Sequence, residues 1–263
     1  MLNQKLNKIP RLNAFLTKTL LPVSAPALFL LVWHILREAN AVPRFMLPGP
    51  AETARSLVNE FPLLMRHIRV TLFEAGAGLI FAIAAAFLLA LTMDNCRPLK
   101  KALQPFLLLT QTMPAIAVAP VLVLWLGYES APKIALVFLT CFFPITVSLV
   151  NGFDCADINA IMLLKSMGAG RFHIYRWLKL PQALPSFFAG LRIAASYAII
   201  GAVIAEWLGG SAGLGVYMTR VRKSYSFDKM FACILLVMLL SLALLAVVSA
   251  LECAALPWKR RKE

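Results

Sequence analysis

Long runs of apolar residues, interrupted by short polar and proline-rich joints, dominate the chain. A helix needs roughly 20 mostly apolar residues to cross about 30 Å of hydrocarbon. Six stretches approach or meet that length, at residues 20–36, 71–93, 103–126, 133–150, 185–208 and 231–256. At 1.5 Å per residue the second extends about 34 Å, enough to cross with some tilt. The third contains Pro105, Pro114 and Pro120. It is expected to be a kinked span, with neighbouring helices satisfying the carbonyls that the prolines leave free.

Two segments between the apolar runs carry their own pattern. After Pro48-Gly49-Pro50, apolar residues recur at Ala54, Leu57, Val58, Phe61, Leu64, Met65 and Ile68. That spacing predicts one amphipathic helix on the outer membrane surface or against the bundle, with Pro62 bending it. The second segment, residues 152–184, is far longer than two spans require. Asp157 can cap a short helix running to Met167, Gly168-Ala169-Gly170 breaks it, and a second short helix runs through Phe172, Tyr175 and Trp177 to Pro181. Lys165, Arg171, His173, Arg176 and Lys179 give this segment a basic face. Such a face suits either contact with anionic lipid or docking, as a glycine-hinged lever, into the groove of a partner.

Composition turns this pattern into a class. Hydrophobic residues make up 60% of the 263 and charged residues 14%, whereas an ordinary soluble domain has about 45–50% and about 25%. Disorder, a collagen-like repeat and a disulfide scaffold are excluded. The net charge of +14 would suggest nucleic acid in a soluble protein. Here the basic residues are scattered between apolar blocks, so no nucleic-acid partner is expected. With a cytoplasmic N-terminus, fifteen Lys and Arg fall on the cytoplasmic side and ten on the other. That bias places both termini inside. The basic leader with Ala39-Asn40-Ala41 imitates a cleaved signal, but Arg37 and Glu38 stand directly before the apparent cleavage site, which favours an uncleaved first span. Cys96, Cys141, Cys155, Cys233 and Cys253 show no paired spacing and are expected to be small core fillers. The histidines are too scattered for a metal site.

Polar residues at membrane depth suggest function. Glu74 and Glu206 lie near the outer ends of the second and fifth spans, where hydration would sustain them. For Glu206 the alternatives are a gate or a structural pair with a basic residue of the outer loop. Arg192 lies about two turns inside the fifth span, from which it can snorkel to cytoplasmic phosphates or line a pathway. Thr110, Gln111, Thr112 and Met113 in the third span, with Ser196, Tyr197 and Glu206 in the fifth, are candidates to line a solute pathway. Hydrogen bonding between helices would explain the hydroxyls equally well.

Lys165-Ser166-Met167-Gly168-Ala169, then Arg171-Phe172, then Leu180-Pro181-Gln182-Ala183-Leu184-Pro185, resembles the E-A-A loop of ATP-binding-cassette importer permeases. Leu47-Pro48-Gly49-Pro50, Gln111-Thr112-Met113-Pro114, Trp125-Leu126-Gly127-Tyr128, Phe142-Phe143-Pro144, Gly190-Leu191-Arg192 and Glu206-Trp207-Leu208-Gly209 with Gly213-Leu214-Gly215 resemble one branch of that family. The branch handles alkanesulfonates, taurine, nitrate and thiamine pyrimidine precursors, and the likeness is greatest to the hydroxymethylpyrimidine permeases. The resemblance covers nearly the whole chain from about residue 20. One departure is that Met162-Leu163-Leu164 stands where E-A-A is expected.

The resemblance implies an all-α integral membrane protein of about six transmembrane helices, in the type I importer permease fold. A cytoplasmic basic N-terminus (1–19) and tail (257–263) flank a single permease domain (20–256), whose coupling loop is about 152–184. Two permease copies, two separate ATPases and a periplasmic or lipid-anchored solute-binding protein are implied, in a bacterial inner membrane. The coupling contacts implied are Met162, Lys165, Ser166, Gly168, Ala169, Arg171, Phe172, Tyr175, Arg176 and Pro181. The chain has no G-x-x-x-x-G-K-[ST] phosphate loop. The Gly209–Gly215 stretch lacks the lysine and is expected to be a tight turn. No cofactor is therefore expected on this chain, and ATP with magnesium belongs to the partner ATPase. An ion-coupled secondary transporter, the competing class, would need midplane coupling charges and usually inverted repeats, and neither is evident. The purified chain alone is expected to release no phosphate from ATP. Hydrolysis by the isolated permease, lost on mutating its own residues, would contradict this reading.

Overall fold

The computed structural model describes residues 9–39, 43 and 46–257, and the side chains from residue 24 onward within them. The basic leader residues Lys5 and Lys8, the side chains of Arg11 and Lys18, the Asn40-Ala41 site, Arg44 and the 258–263 tail lie outside what is described. All regular structure among the described residues is helical. The helices are α1 (Ile9–Glu38), α2 (Pro50–Asn59), α3 (Phe61–Asn95), α4 (Arg97–Thr110), α5 (Ala115–Leu126), α6 (Ser130–Asp154), α7 (Ile158–Ser166) and α8 (Arg171–Ile174). A π-helical turn at Tyr175–Lys179 follows, then α9 (Leu180–Trp207), α10 (Leu214–Lys223) and α11 (Phe227–Ala255). Four of these segments, 61–95, 130–154, 171–207 and 227–255, are long and apolar enough to span a bilayer, and the bent α4–α5 pair would make a fifth. The first predicted span falls within α1, of which only the second half has described side chains.

The chain divides into two compact units, residues 1–60 with 221–232, and residues 61–220 with 233–263. In the smaller unit, Trp33 Nε1 donates to the Pro48 carbonyl at 3.0 Å, and the Arg37 guanidinium pairs with Glu38 and Glu52. Glu52 also accepts the Gly49 amide at 2.9 Å, which caps the start of α2. Ser56 donates to Asp228, and Lys229 pairs with Glu60. The expected single amphipathic helix across 54–68 is not observed. The helix ends at Asn59, the chain turns at Glu60, and Pro62 occupies the first turn of α3, where its missing N–H leaves no bond unmade.

The larger unit is organised around α6, which packs most extensively on α9 and α3. Small residues let these backbones approach: Ala82, Ala86 and Ala90 on α3, and Ala194, Ala195, Ala198 and Ala202 on α9, are all fully buried. Val137, Cys141, Ile145, Leu149 and Phe153 of α6 fill the space between. At Gly190 an added Cβ would stand 2.6 Å from Ser148 Cβ and 2.9 Å from the Pro144 carbonyl oxygen. The outward face of α11, including Met238, Leu239, Leu242, Val247 and Leu251, is exposed and apolar, as a lipid-facing surface requires.

Two expected spans have different limits. Residues 103–126 do not form one kinked helix, because α4 and α5 meet at 101° across Gln111–Pro114. Proline disfavours helical geometry in the residue before it, so the break falls at Met113-Pro114. The expected break near Pro181 is absent, and the helix continues from Arg171 to Trp207. Pro181 cannot donate to the carbonyl one turn back, and the π turn immediately before it shifts the hydrogen-bond register and keeps the helix unbroken. Gly190→Val is expected to lower the thermal unfolding midpoint in detergent, by overpacking worth ~1–3 kcal/mol. Gly76→Ala, where an added Cβ meets nothing within 4 Å, is the control and should not lower it.

Candidate coupling element and buried polar cluster

The 155–180 segment is built as a protruding helix–turn–helix. Asp157 Oδ1 accepts the Asn159 amide at 2.9 Å and caps α7, which buries none of its side chains. The helix closes with two reversed bonds, Gly168 N to the Lys165 carbonyl at 3.0 Å and Ala169 N to the Leu164 carbonyl at 2.9 Å. This Schellman closure needs a left-handed residue, and Gly168 has φ +81°. Met162, Lys165, Ser166, Gly168, Arg171, Phe172 and Arg176 are exposed, while Ala169, Tyr175 and Pro181 are half-buried. Met162, Met167, Phe172 and Trp177 are each more than 60% exposed, so the tip of this element presents large apolar groups beside its basic ones.

The inner side of the element is anchored by a residue that sequence reasoning missed. Asp94, at the end of α3, accepts from Lys179 Nζ with both carboxylate oxygens, at 2.9 and 2.6 Å, and from the Tyr175 hydroxyl. Phe153 meets the Tyr175 ring edge-on at 6.0 Å. Nearby, Lys100 at the start of α4 pairs with Asp154 at the end of α6. The one sequence signal was an acidic residue placed directly after an apolar run.

At the opposite end of α3 lies a buried polar cluster. The first three amides of the 213–215 turn are each taken by a side chain. Gly213 N donates to His67 Nδ1 at 3.0 Å, Leu214 N to Thr71 Oγ1 at 2.9 Å, and Gly215 N to Glu206 Oε2 at 2.6 Å. Thr71 in turn donates to Glu206 Oε1 at 2.7 Å. These side-chain acceptors, an imidazole, a hydroxyl and a carboxylate, satisfy the donors at the start of α10, which no intrahelical carbonyl can reach. Gly213 has φ +128°, and an added Cβ would sit 2.3 Å from the Glu206 carboxyl carbon. Close by, Lys133 Nζ pairs with Glu74 Oε1 at 3.1 Å, and both side chains are buried. Burial rather than hydration therefore surrounds Glu74 and Glu206, and Glu206 meets Thr71, the Gly215 amide and the neighbouring Glu74. Arg192 Nη1 pairs with Glu252 at 3.2 Å.

The remaining pathway candidates fall in two places. Thr110, Gln111, Thr112 and Met113 lie together at the α4–α5 break, where the Thr110 and Thr112 hydroxyls bond back to the Leu107 and Leu109 carbonyls. Ser196 and Tyr197 lie on α9, with Ser196 bonded to the Arg192 carbonyl and Tyr197 exposed. Glu206 is buried apart from both sets in its own cluster. Only Cys141 and Cys233 are core fillers, while Cys96, Cys155 and Cys253 are exposed. Among the described residues no three His, Cys, Asp or Glu groups converge as metal ligands.

The chain belongs to the binding-protein-dependent transport system inner membrane component family, whose profile matches residues 78–254. It is thus the permease subunit of an ATP-driven importer, an inner-membrane transport component and not an enzyme. A formylaminopyrimidine transport permease protein, ThiX, of Halalkalibacterium halodurans is 35% identical, over 90% of this chain and 96% of its own. A probable ABC transporter permease protein of Haemophilus influenzae is 34% identical, over 86% and 93%. A riboflavin transport system permease protein, RibX, of Chloroflexus aurantiacus is 31% identical, over 91% and 90%. Among solved structures, an inward-facing methionine ABC transporter, MetNI, superimposes with a TM-score of 0.65 at 16% identity, covering 75% of this chain and 98% of that one.

Glu206→Ala is expected to leave the buried Gly215 amide unpaired, at ~1–3 kcal/mol, and to leave the Thr71 hydroxyl only its longer bond to the His67 carbonyl at 3.3 Å. Glu206→Gln keeps an acceptor oxygen and should lose less. Thermal unfolding of the purified variants in detergent compares the two, and equal midpoints for wild type and Glu206→Ala would contradict the assignment.

Proposed function

We propose that the chain works as a homodimer with two ATPase subunits and a periplasmic or lipid-anchored binding protein. Its solute is the pyrimidine precursor of thiamine, hydroxymethylpyrimidine or a close aminopyrimidine, and both termini are cytoplasmic. The observation that carries the coupling part is the glycine-closed tip of α7–α8, whose large apolar side chains stay mostly exposed among the described residues. Support for the solute comes from the likeness to a permease named for formylaminopyrimidine, and from described spans in which the buried or paired charges include no free midplane arginine to hold an anion.

In this reading the ATPases hold ATP and magnesium and close on them. Closure moves the two docked α7–α8 elements, which tilts the attached spans and opens the pathway to the binding protein, and hydrolysis resets the arrangement. The contacts are Met162, Lys165, Ser166, Gly168, Ala169, Arg171, Phe172, Tyr175, Arg176 and Pro181. With Met162-Leu163-Leu164 in place of E-A-A, apolar burial replaces the ion pair that a glutamate would make. Thr110, Gln111, Thr112, Met113, Ser196 and Tyr197 line the solute path, and Glu206 steadies its outer end.

Proteoliposomes holding permease, ATPase and loaded binding protein test this directly. ATP-dependent uptake of labelled hydroxymethylpyrimidine is expected, competed by formylaminopyrimidine and not by taurine or an alkanesulfonate. Gly168→Pro removes both the left-handed conformation and the amide bonded to Lys165, and should reduce uptake per ATP roughly tenfold, a typical coupling factor. Competition by taurine alone would overturn the solute, and full coupling in Gly168→Pro would overturn the docking element.

A further inference from the structure

Besides the continuous helix from Arg171 to Trp207, a charged contact ties the proposed coupling element to the bundle. The tip is exposed, and α7 buries none of its side chains. Behind the tip, Tyr175 and Lys179 are the first and last residues of the π turn. Both reach the same acceptor, Asp94, whose side chain is only 8% exposed. Lys179 Nζ also lies 5.1 Å from the Tyr175 ring centre. A partly shielded carboxylate with two ammonium contacts and a phenol donor is a stiffer joint than an exposed ion pair, because solvent screens it less and its geometry is over-determined.

The helix that carries Asp94 is continuous to the other membrane face. Within α3 the 27 residue steps from His67 to Asp94 extend about 40 Å. At its far end the same helix supplies His67 and Thr71, which hold the Gly213 and Leu214 amides, and Glu74, which holds Lys133. One rigid rod is therefore fixed by hydrogen bonds to the coupling element at one end and to the 213–215 turn at the other.

We infer that α3 transmits the displacement of the coupling element to the turn at the opposite face, with Asp94 as the positioning residue that engages it. This inference rests on the docking role proposed for α7–α8. Without the Asp94 joint the tip still meets its partner, but its motion is taken up at the π turn and does not reach the turn held by His67 and Thr71. The ammonium of Lys179 and the phenol of Tyr175 act through the same carboxylate, so their removal should not add to its loss.

The test uses the full complex in proteoliposomes, with uptake and ATP hydrolysis measured on the same vesicles. Their ratio does not depend on how much protein folds. Asp94→Asn and Lys179→Met are each expected to lower uptake per ATP roughly tenfold, the range of an ordinary coupling free energy. The double variant should fall no further than the single ones, and Asp94→Glu, which keeps a carboxylate, should recover most of the ratio. An unchanged ratio in Asp94→Asn, additive losses in the double variant, or equal losses for Asn and Glu would each overturn the inference. If the wild-type complex itself fails to assemble or to couple uptake to ATP, the docking role has failed. If the wild type couples and Asp94→Asn couples equally well, only the transmission through α3 has failed.

Discussion

Three consecutive backbone amides, those of Gly213, Leu214 and Gly215, must be satisfied where neither water nor a helical carbonyl reaches them. Three side chains do this: His67 and Thr71 of α3, more than 140 residues away, and Glu206 at the end of α9. A buried carboxylate is costly unless it is fully bonded, and this one is held by Thr71 on one oxygen and by Gly215 on the other. The arrangement fixes α3 relative to α9 at that end, and the small-residue contacts with α6 then hold the remainder of the three-helix core. Gly213 is needed because the carboxyl group occupies the place where any Cβ would stand.

The opposite end of the same core is polar for a different reason. Asp94, Lys179 and Tyr175 join α3 to the segment leading into α9, and Lys100 with Asp154 joins α4 to α6. These bonds surround the base of the protruding α7–α8 element and leave its tip to apolar and basic side chains. Family membership makes the chain an importer permease, and this division of labour gives a physical form to that role. On the proposed reading the tip meets a partner and the base holds the bundle.

Local chemistry was readable from the chain, and distant pairing was not. Asp157 as a cap, Gly168 as a stop and the limits of the apolar runs at α6 and α11 follow from rules spanning a few residues. Prolines were harder, because their effect depends on which hydrogen bond they would have made. Pro62 begins a helix, Pro181 is absorbed by a π turn, and Pro114 caps the start of α5, which lies at 101° to α4. Asp94 and Glu206 were beyond sequence pattern, since Tyr175 and Thr71, which bond to them, lie 81 and 135 residues away. The same is true of Arg192, whose charge is met by Glu252 on another helix.

The central claim is that an ATPase on a separate chain drives this permease through the α7–α8 element. The most direct measurement compares the energy source for uptake into proteoliposomes containing the complete complex. Uptake should require ATP on the side facing the ATPase together with loaded binding protein, and should persist when ion gradients are collapsed. Uptake into ATP-free vesicles driven by an imposed ion gradient would contradict the account.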